Sequence, residues 1–235
     1  MKRTIAAIFA FLCCFPVFSL DAAAYRRAFA ANWNEAEAYL RGIRPLLLEA
    51  LNDPFLADVG AAVVFPELSR YSYIRDAAET SMLELFYIMN GAGNFSIGKF
   101  QMKPSFAAMI EQDADKACRL RYPGIFETGR NDRETRLFRI ERLKTLRRQA
   151  EYFAIFLRIM DRRFPNLRQD PQRMVMIFSS AYNSGYNKSL ESLEALSELH
   201  CFPYGILGIG EQYSYCDIAS AYYREKTPPL FLTGP

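Results

Sequence analysis

Between about residues 30 and 200, apolar residues recur three or four positions apart and glycine and proline are sparse, a pattern that predicts one helix after another. The first helix is expected over about 33–52, interrupted or kinked near Pro45. Asp53-Pro54 then opens a second, because aspartate caps a helix and proline suits its first turn. It runs through Val59, Ala62 and Val63 towards Pro66-Glu67. A third is expected over about 73–89, with Ile74, Ala78, Met82, Leu85 and Phe86 on one face, stopped by Gly91 and Gly93. Residues 94–102 alternate apolar and polar and read as a short strand or extended turn. Pro104 opens a further helix carrying Phe106, Met109 and Ile110, and Pro123, Gly124 and Gly129 mark a loop. Residues 132–163 read as one long amphipathic helix, with Leu137, Ile140, Leu143, Leu146, Ala150, Phe153, Leu157 and Met160 in register. Asp170-Pro171 starts the last clear helix, whose stripe is Met174, Ile177, Phe178 and Ala181 and which Gly185 breaks. From Cys201 onward, glycines, aromatics and Pro228-Pro229 predict an irregular, packed tail over 200–235. The fold class is therefore mainly α, with one short extended segment.

The N-terminus departs from this pattern. Lys2 and Arg3 precede an apolar run from Ile5 to Phe18, and small residues follow at 22–24, the order of a secretory signal peptide. The run is short for a membrane span. The expected division is a leader over 1–22, cut after Ser19 or within 22–24, and a single domain over 23–235. Membrane contact is then expected only during export. Cys13 and Cys14 lie inside the run, not after it, which disfavours acylation. Export permits a disulfide, and Cys201 with Cys216 is the plausible pair, leaving Cys118; three buried thiols are the alternative.

Composition narrows the function. With 51% hydrophobic and 14% aromatic residues the chain is globular and not disordered. A formal charge of +3, two units of which belong to Lys2 and Arg3, is too weak to argue for nucleic acid. The single histidine, His200, stands in no cluster at metal-ligand spacing, and no glycine-rich phosphate loop occurs, so neither metal nor cofactor is expected. No serine near His200 sits in a nucleophile turn. The arginines of 132–163, including Arg133, Arg136, Arg147 and Arg148, form either a surface for an anionic polymer or partner, or a solvated face balanced by Glu134, Glu141 and Glu151.

Carboxylates and amides remain as candidates. Glu67 follows the apolar run Ala61-Ala62-Val63-Val64-Phe65-Pro66. A carboxyl group at the edge of such a patch is desolvated and holds its proton to higher pH. A protonated acid is what glycosidic cleavage requires, since the leaving oxygen departs poorly until it receives a proton. Two later segments join it: Gly98-Lys99-Phe100-Gln101-Met102-Lys103-Pro104 and Ala181-Tyr182-Asn183-Ser184-Gly185.

In this order, over about residues 57–187, the three segments resemble those of the lysozyme-like lytic transglycosylases of the soluble type, within the goose-type lysozyme superfamily. The family has a glutamate ending an apolar helix, a Gly-Leu-Met-Gln type segment leading through proline into a helix, and an Ala-Tyr-Asn-Ala-Gly type segment. The family's Glu-Ser pair is here Glu67-Leu68, and Glu79-Thr80 is a rival that keeps the hydroxyl neighbour. The resemblance implies a lysozyme-like helical domain that cleaves peptidoglycan glycan strands between N-acetylmuramic acid and N-acetylglucosamine. Glu67, or alternatively Glu79, would protonate the glycosidic oxygen and then act as base on the sugar's hydroxymethyl oxygen, closing a 1,6-anhydro ring. If water attacks instead, Asp76 or Glu79 would serve as the second acid. Gln101, Tyr182 and Asn183 would bind sugar, with Tyr182 donating to Glu67 or to an acetamido group. Ser96, Phe95 and Phe100 would line the groove. A non-catalytic wall-binding protein on the same fold, working with other envelope proteins, is the alternative.

Overall fold

The computed structural model describes the backbone of residues 18–70, 77–93, 95–203 and 211–226, and the side chains of these except 18–21 and 77–82. The architecture is mainly α. Helix α1 covers Phe18–Ala28, α2 Ala30–Leu51, α3 Pro54–Arg70, α4 Ala77–Asn90, α5 Pro104–Asp113, α6 Lys116–Arg121, α7 Asp132–Leu143, α8 Leu146–Arg163, α9 Pro171–Ser184, α10 Leu190–Ser197 and α11 Tyr215–Lys226. Two short antiparallel strands, β1 His200–Phe202 and β2 Tyr213–Ser214, form the one sheet among the described residues. No helix among the described residues is long and apolar enough to cross a membrane.

The organising element is α3. Almost every residue from Leu56 to Ser69 is buried, because α2, α8, α9 and α11 surround it. A helix apolar on all sides is stable only as the centre of such a bundle. Its start follows the expected capping: Asp53 Oδ1 accepts from the Leu56 N–H at 3.1 Å and Pro54 is the first helical residue. Gly60 lets α8 approach closely, since a Cβ there would lie 2.6 Å from Leu157 Cδ1.

Several sequence expectations are corrected. Helix α2 runs uninterrupted through Pro45 and stops on Asn52, in the left-handed conformation at φ 49°. Helix α3 does not end at Pro66-Glu67. It continues for one more turn to Arg70, because packing on all sides outweighs the hydrogen bond that proline removes. The helix expected over 132–163 is two helices. The chain turns extended at Thr145, whose Oγ1 donates to the Arg142 carbonyl at 3.0 Å. Helix α10 precedes the expected irregular tail and was not expected, and the described residues of that tail form β1, β2 and α11, with α11 packed against α3 and α9. Cys118, Cys201 and Cys216 are all free thiols. Beyond the expected leader, Tyr25 of α1 is buried and shares a hydrogen bond of 2.9 Å with Ser69 Oγ.

The arginines of α7 and α8 bind the chain to itself. Arg147 pairs with Glu49 on α2, and Arg148 with Glu151. Arg136 donates to the Ile88 and Met89 carbonyls at the end of α4. Arg139 and Arg142 converge on Glu111 of α5. These internal commitments argue against α7–α8 as a basic docking face.

Candidate active site

Three elements converge on one cleft of about 290 Å³. The first is the C-terminal turn of α3, carrying Glu67 and Arg70. The second is the turn before α5, closed by reciprocal backbone hydrogen bonds between Ile97 and Met102 at 3.0 and 3.2 Å. The third is the end of α9, with Tyr182, Asn183 and Gly185. Glu67, Ser96, Gln101, Tyr182 and Asn183 all line this cleft, together with Arg70, Lys103 and Phe106.

The 97–102 turn is locally costly. Gly98 has φ +71° and Gln101 φ +50°, and a left-handed glutamine persists only where its surroundings hold it. Gln149 of α8, buried beneath the turn, holds it: its Oε1 accepts from the Phe100 N–H at 3.0 Å, and its Nε2 donates to the Leu143 carbonyl at 2.7 Å. Gln101 Nε2 donates to the Gly98 carbonyl at 2.8 Å. A Cβ on Gly98 would fall 1.9 Å from Gln149 Nε2. Gly98→Ala is therefore expected to lower stability by about 1–3 kcal/mol, read as a lower denaturation midpoint. Gln149→Ala, which opens the space but also removes the two supporting hydrogen bonds, should not restore it.

Glu67 is 7% exposed. Burial pushes its carboxyl above the usual carboxylate range, and the charges of Arg70 and Lys103 oppose that shift without cancelling it. Arg70 Nη2 lies 3.2 Å from Glu67 Oε2, but without hydrogen-bond alignment. Oε2 therefore has no hydrogen-bond partner among the described residues. A buried polar atom without a hydrogen-bond partner, on a residue that lines a cleft, calls for a reason, and a ligand hydroxyl or ether oxygen would supply one. Burial likewise drives the hydroxyls of Tyr182 and Tyr215 well above their usual range, with the Glu67 charge adding to the effect, so both stay neutral.

Tyr182 does not play the expected part. Its one O–H donates to the Phe100 carbonyl at 2.7 Å, and its ring packs edge-on against Phe106 and Phe153. It locks the turn that presents Gln101 and does not donate to Glu67. Phe95 and Phe100 are also displaced from their expected role. Both are core residues, Phe100 against Phe153 and Phe95 against Tyr87, so of that trio only Ser96 lines the cleft. Asn183 is exposed at the lip. The Glu79 side chain and Asp76 lie outside the described residues.

Sequence reasoning missed Arg70, Lys103 and Tyr215, whose hydroxyl donates to the Val63 carbonyl at 2.9 Å behind Glu67. A signal for Arg70 existed, since it stands one helical turn after Glu67. Ending α3 at Pro66 hid it. Among the described residues no group of three His, Cys, Asp or Glu could hold a metal. No protein-family model, curated protein or solved structure matches the chain.

Proposed function

We propose that this chain is an exported, periplasmic or secreted enzyme that cleaves peptidoglycan glycan strands, on a lysozyme-like helical domain, by lytic transglycosylase chemistry. The observation that carries the reading is Glu67. It is a buried carboxyl held towards its protonated form, with one oxygen unpaired, on a residue that lines a cleft shared with Gln101 and Asn183. It is the one carboxylate lining that cleft among the described residues. Hydrolysis of the usual kind needs two carboxyl groups flanking the bond. The transglycosylase route needs one.

In that route Glu67 gives its proton to the glycosidic oxygen as the bond from the sugar's anomeric carbon to that oxygen breaks. The resulting carboxylate then takes the proton of the substrate's own hydroxymethyl group as its oxygen bonds to the same carbon. The acid is regenerated and no water is consumed. Gln101 and Asn183 supply amide donors and acceptors for sugar hydroxyl and acetamido groups. The wall of Met102, Phe106 and Met109 supplies apolar surface.

The test is digestion of purified peptidoglycan with products read by mass. Anhydro-muropeptides, lighter by one water than hydrolytic products, are expected. Hydrated products would move the reaction to a two-carboxylate mechanism with Asp76 or Glu79 as partner. Sedimentation with the polymer and no release would overturn the enzymatic reading in favour of a wall-binding protein.

A further inference from the structure

We infer that Arg70 is a positioning residue that sets the pH at which Glu67 surrenders its proton, and that the β1 hairpin holds it in place. The inference rests on the glycosidase reading and adds a regulator to the same site. Arg70 ends α3, one turn beyond Glu67, and its guanidinium faces two ways. Nη2 lies 3.2 Å from Glu67 Oε2. Nη1 donates to the Pro203 carbonyl, directly after β1, at 2.8 Å. The guanidinium also stands 5.3 Å over the Phe202 ring. Phe202 is itself buried, edge-on against Tyr215 at 5.2 Å and tilted against Tyr25 at 5.9 Å. The cation beside the acid is thus anchored from a part of the chain that does not line the cleft.

The chemistry gives this anchoring a purpose. Glu67 must first donate a proton and then accept one. A carboxylate buried without a cation would be too basic to release its proton to the leaving oxygen. A cation in full hydrogen-bonded contact would hold the group ionised and useless as an acid. The misaligned contact lies between these limits. Arg70 Nε is buried and has no partner among the described residues, so the guanidinium is fixed by the hairpin and not by the carboxylate. The other groups facing Glu67 are Lys103, ahead of α5, Tyr182 of α9, Tyr215 of α11 and Tyr25 of α1. The tyrosines are held neutral by burial, and Lys103 is exposed at the rim. Arg70 is therefore the best-buried cation acting on the acid.

Two measurements test this. The first is the pH profile of kcat/KM for wild type, Arg70→Gln and Arg70→Lys. Loss of the charge should move the alkaline limb upward. At a pH where wild type has lost most of its activity, Arg70→Gln should keep a several-fold larger share of its own maximum, and Arg70→Lys should return the limb towards wild type. A purely structural role would lower the whole profile without moving the limb. The second needs no substrate: the titration of the Glu67 side-chain carboxyl carbon by NMR in the same three proteins. Its midpoint should rise in Arg70→Gln and fall back in Arg70→Lys. An unmoved midpoint in Arg70→Gln overturns the inference whether or not the wild type cleaves. A raised midpoint in Arg70→Gln, when the wild type proves inactive, sustains it and retires the glycosidase reading alone.

Discussion

Glu67→Gln should release no anhydro-muropeptides, with kcat/KM down at least about 10²–10⁴-fold, the range that a positioned proton donor contributes, and yet be the more stable protein at neutral pH. The two effects have one cause. The carboxyl is buried, and burial raises it above its ordinary value despite Arg70 and Lys103. In the unfolded chain it ionises in the ordinary range, where the folded protein still keeps its proton. Stability present below that range is therefore lost as pH rises through the raised folded value. Glutamine does not titrate. The gap between variant and wild type should be closed in acid, open as pH climbs through the carboxylate range, and level off above the folded value. Its size should be on the order of 1 kcal/mol, as when a strained functional group is relieved. Urea melts at a series of pH values measure it. A gap of fixed size at all pH values, or one that favours the wild type at neutral pH, would show that Glu67 is not held protonated by the fold.

Why Glu67 was legible and Arg70 was not is a matter of where forces compete. Local chemistry decides a helix start, so Asp53-Pro54 and Asp170-Pro171 could be read directly: Asp53 accepts from Leu56 N and Asp170 from Arg173 N. Gly185 likewise ends α9, at φ 95°. Pro66 is different. Its local effect says stop, but the surrounding helices bury the whole turn from Phe65 to Ser69, and that tertiary gain continues α3 to Arg70. The break at Thr145 was illegible for the opposite reason. The apolar register from Leu137 to Met160 runs on without glycine or proline, so only packing divides it. Helix α11 was missed because its buried residues are tyrosines, a cysteine and an aspartate, and only Ile218 and Ala219 are aliphatic. In the site, Ser96 lines the cleft as expected, but Phe95 and Phe100, expected beside it, fill the core, because the turn aims their rings inward. Residue type also said nothing of direction at Tyr182, whose hydroxyl is claimed by a backbone carbonyl from a segment 82 positions away.

The largest loss of stability is expected from a residue outside the cleft, Glu111→Ala. Glu111 stands on α5 and accepts from Arg139 Nε at 3.0 Å, from Arg142 Nη2 at 3.2 Å and from the Tyr152 hydroxyl. It thereby joins α5 to α7 and α8. Both arginines are buried. Their remaining donors are engaged, Arg139 with the Tyr87 hydroxyl at 2.7 Å and Arg142 with the Glu127 carbonyl at 2.8 Å. Burial and the Glu111 charge also drive the Tyr152 hydroxyl up, keeping it a donor. Alanine would leave two buried guanidinium groups facing each other without a counter-charge, which costs about 3–5 kcal/mol when one partner of a buried pair is removed. That is a large part of the roughly 5–15 kcal/mol by which a domain is stable. Glu111→Gln keeps acceptor and volume but not charge and should lose less. Because α5 begins directly after the 97–103 turn, the loss should reach Gln101 before the chain unfolds globally. Hydrogen exchange at Phe100 and Met102 should accelerate in Glu111→Ala at denaturant concentrations too low to unfold it. A stability loss below about 1 kcal/mol would mean that water reaches these arginines and that the network belongs to the surface, in which case the cleft floor is held by Gln149 and Tyr182 without it.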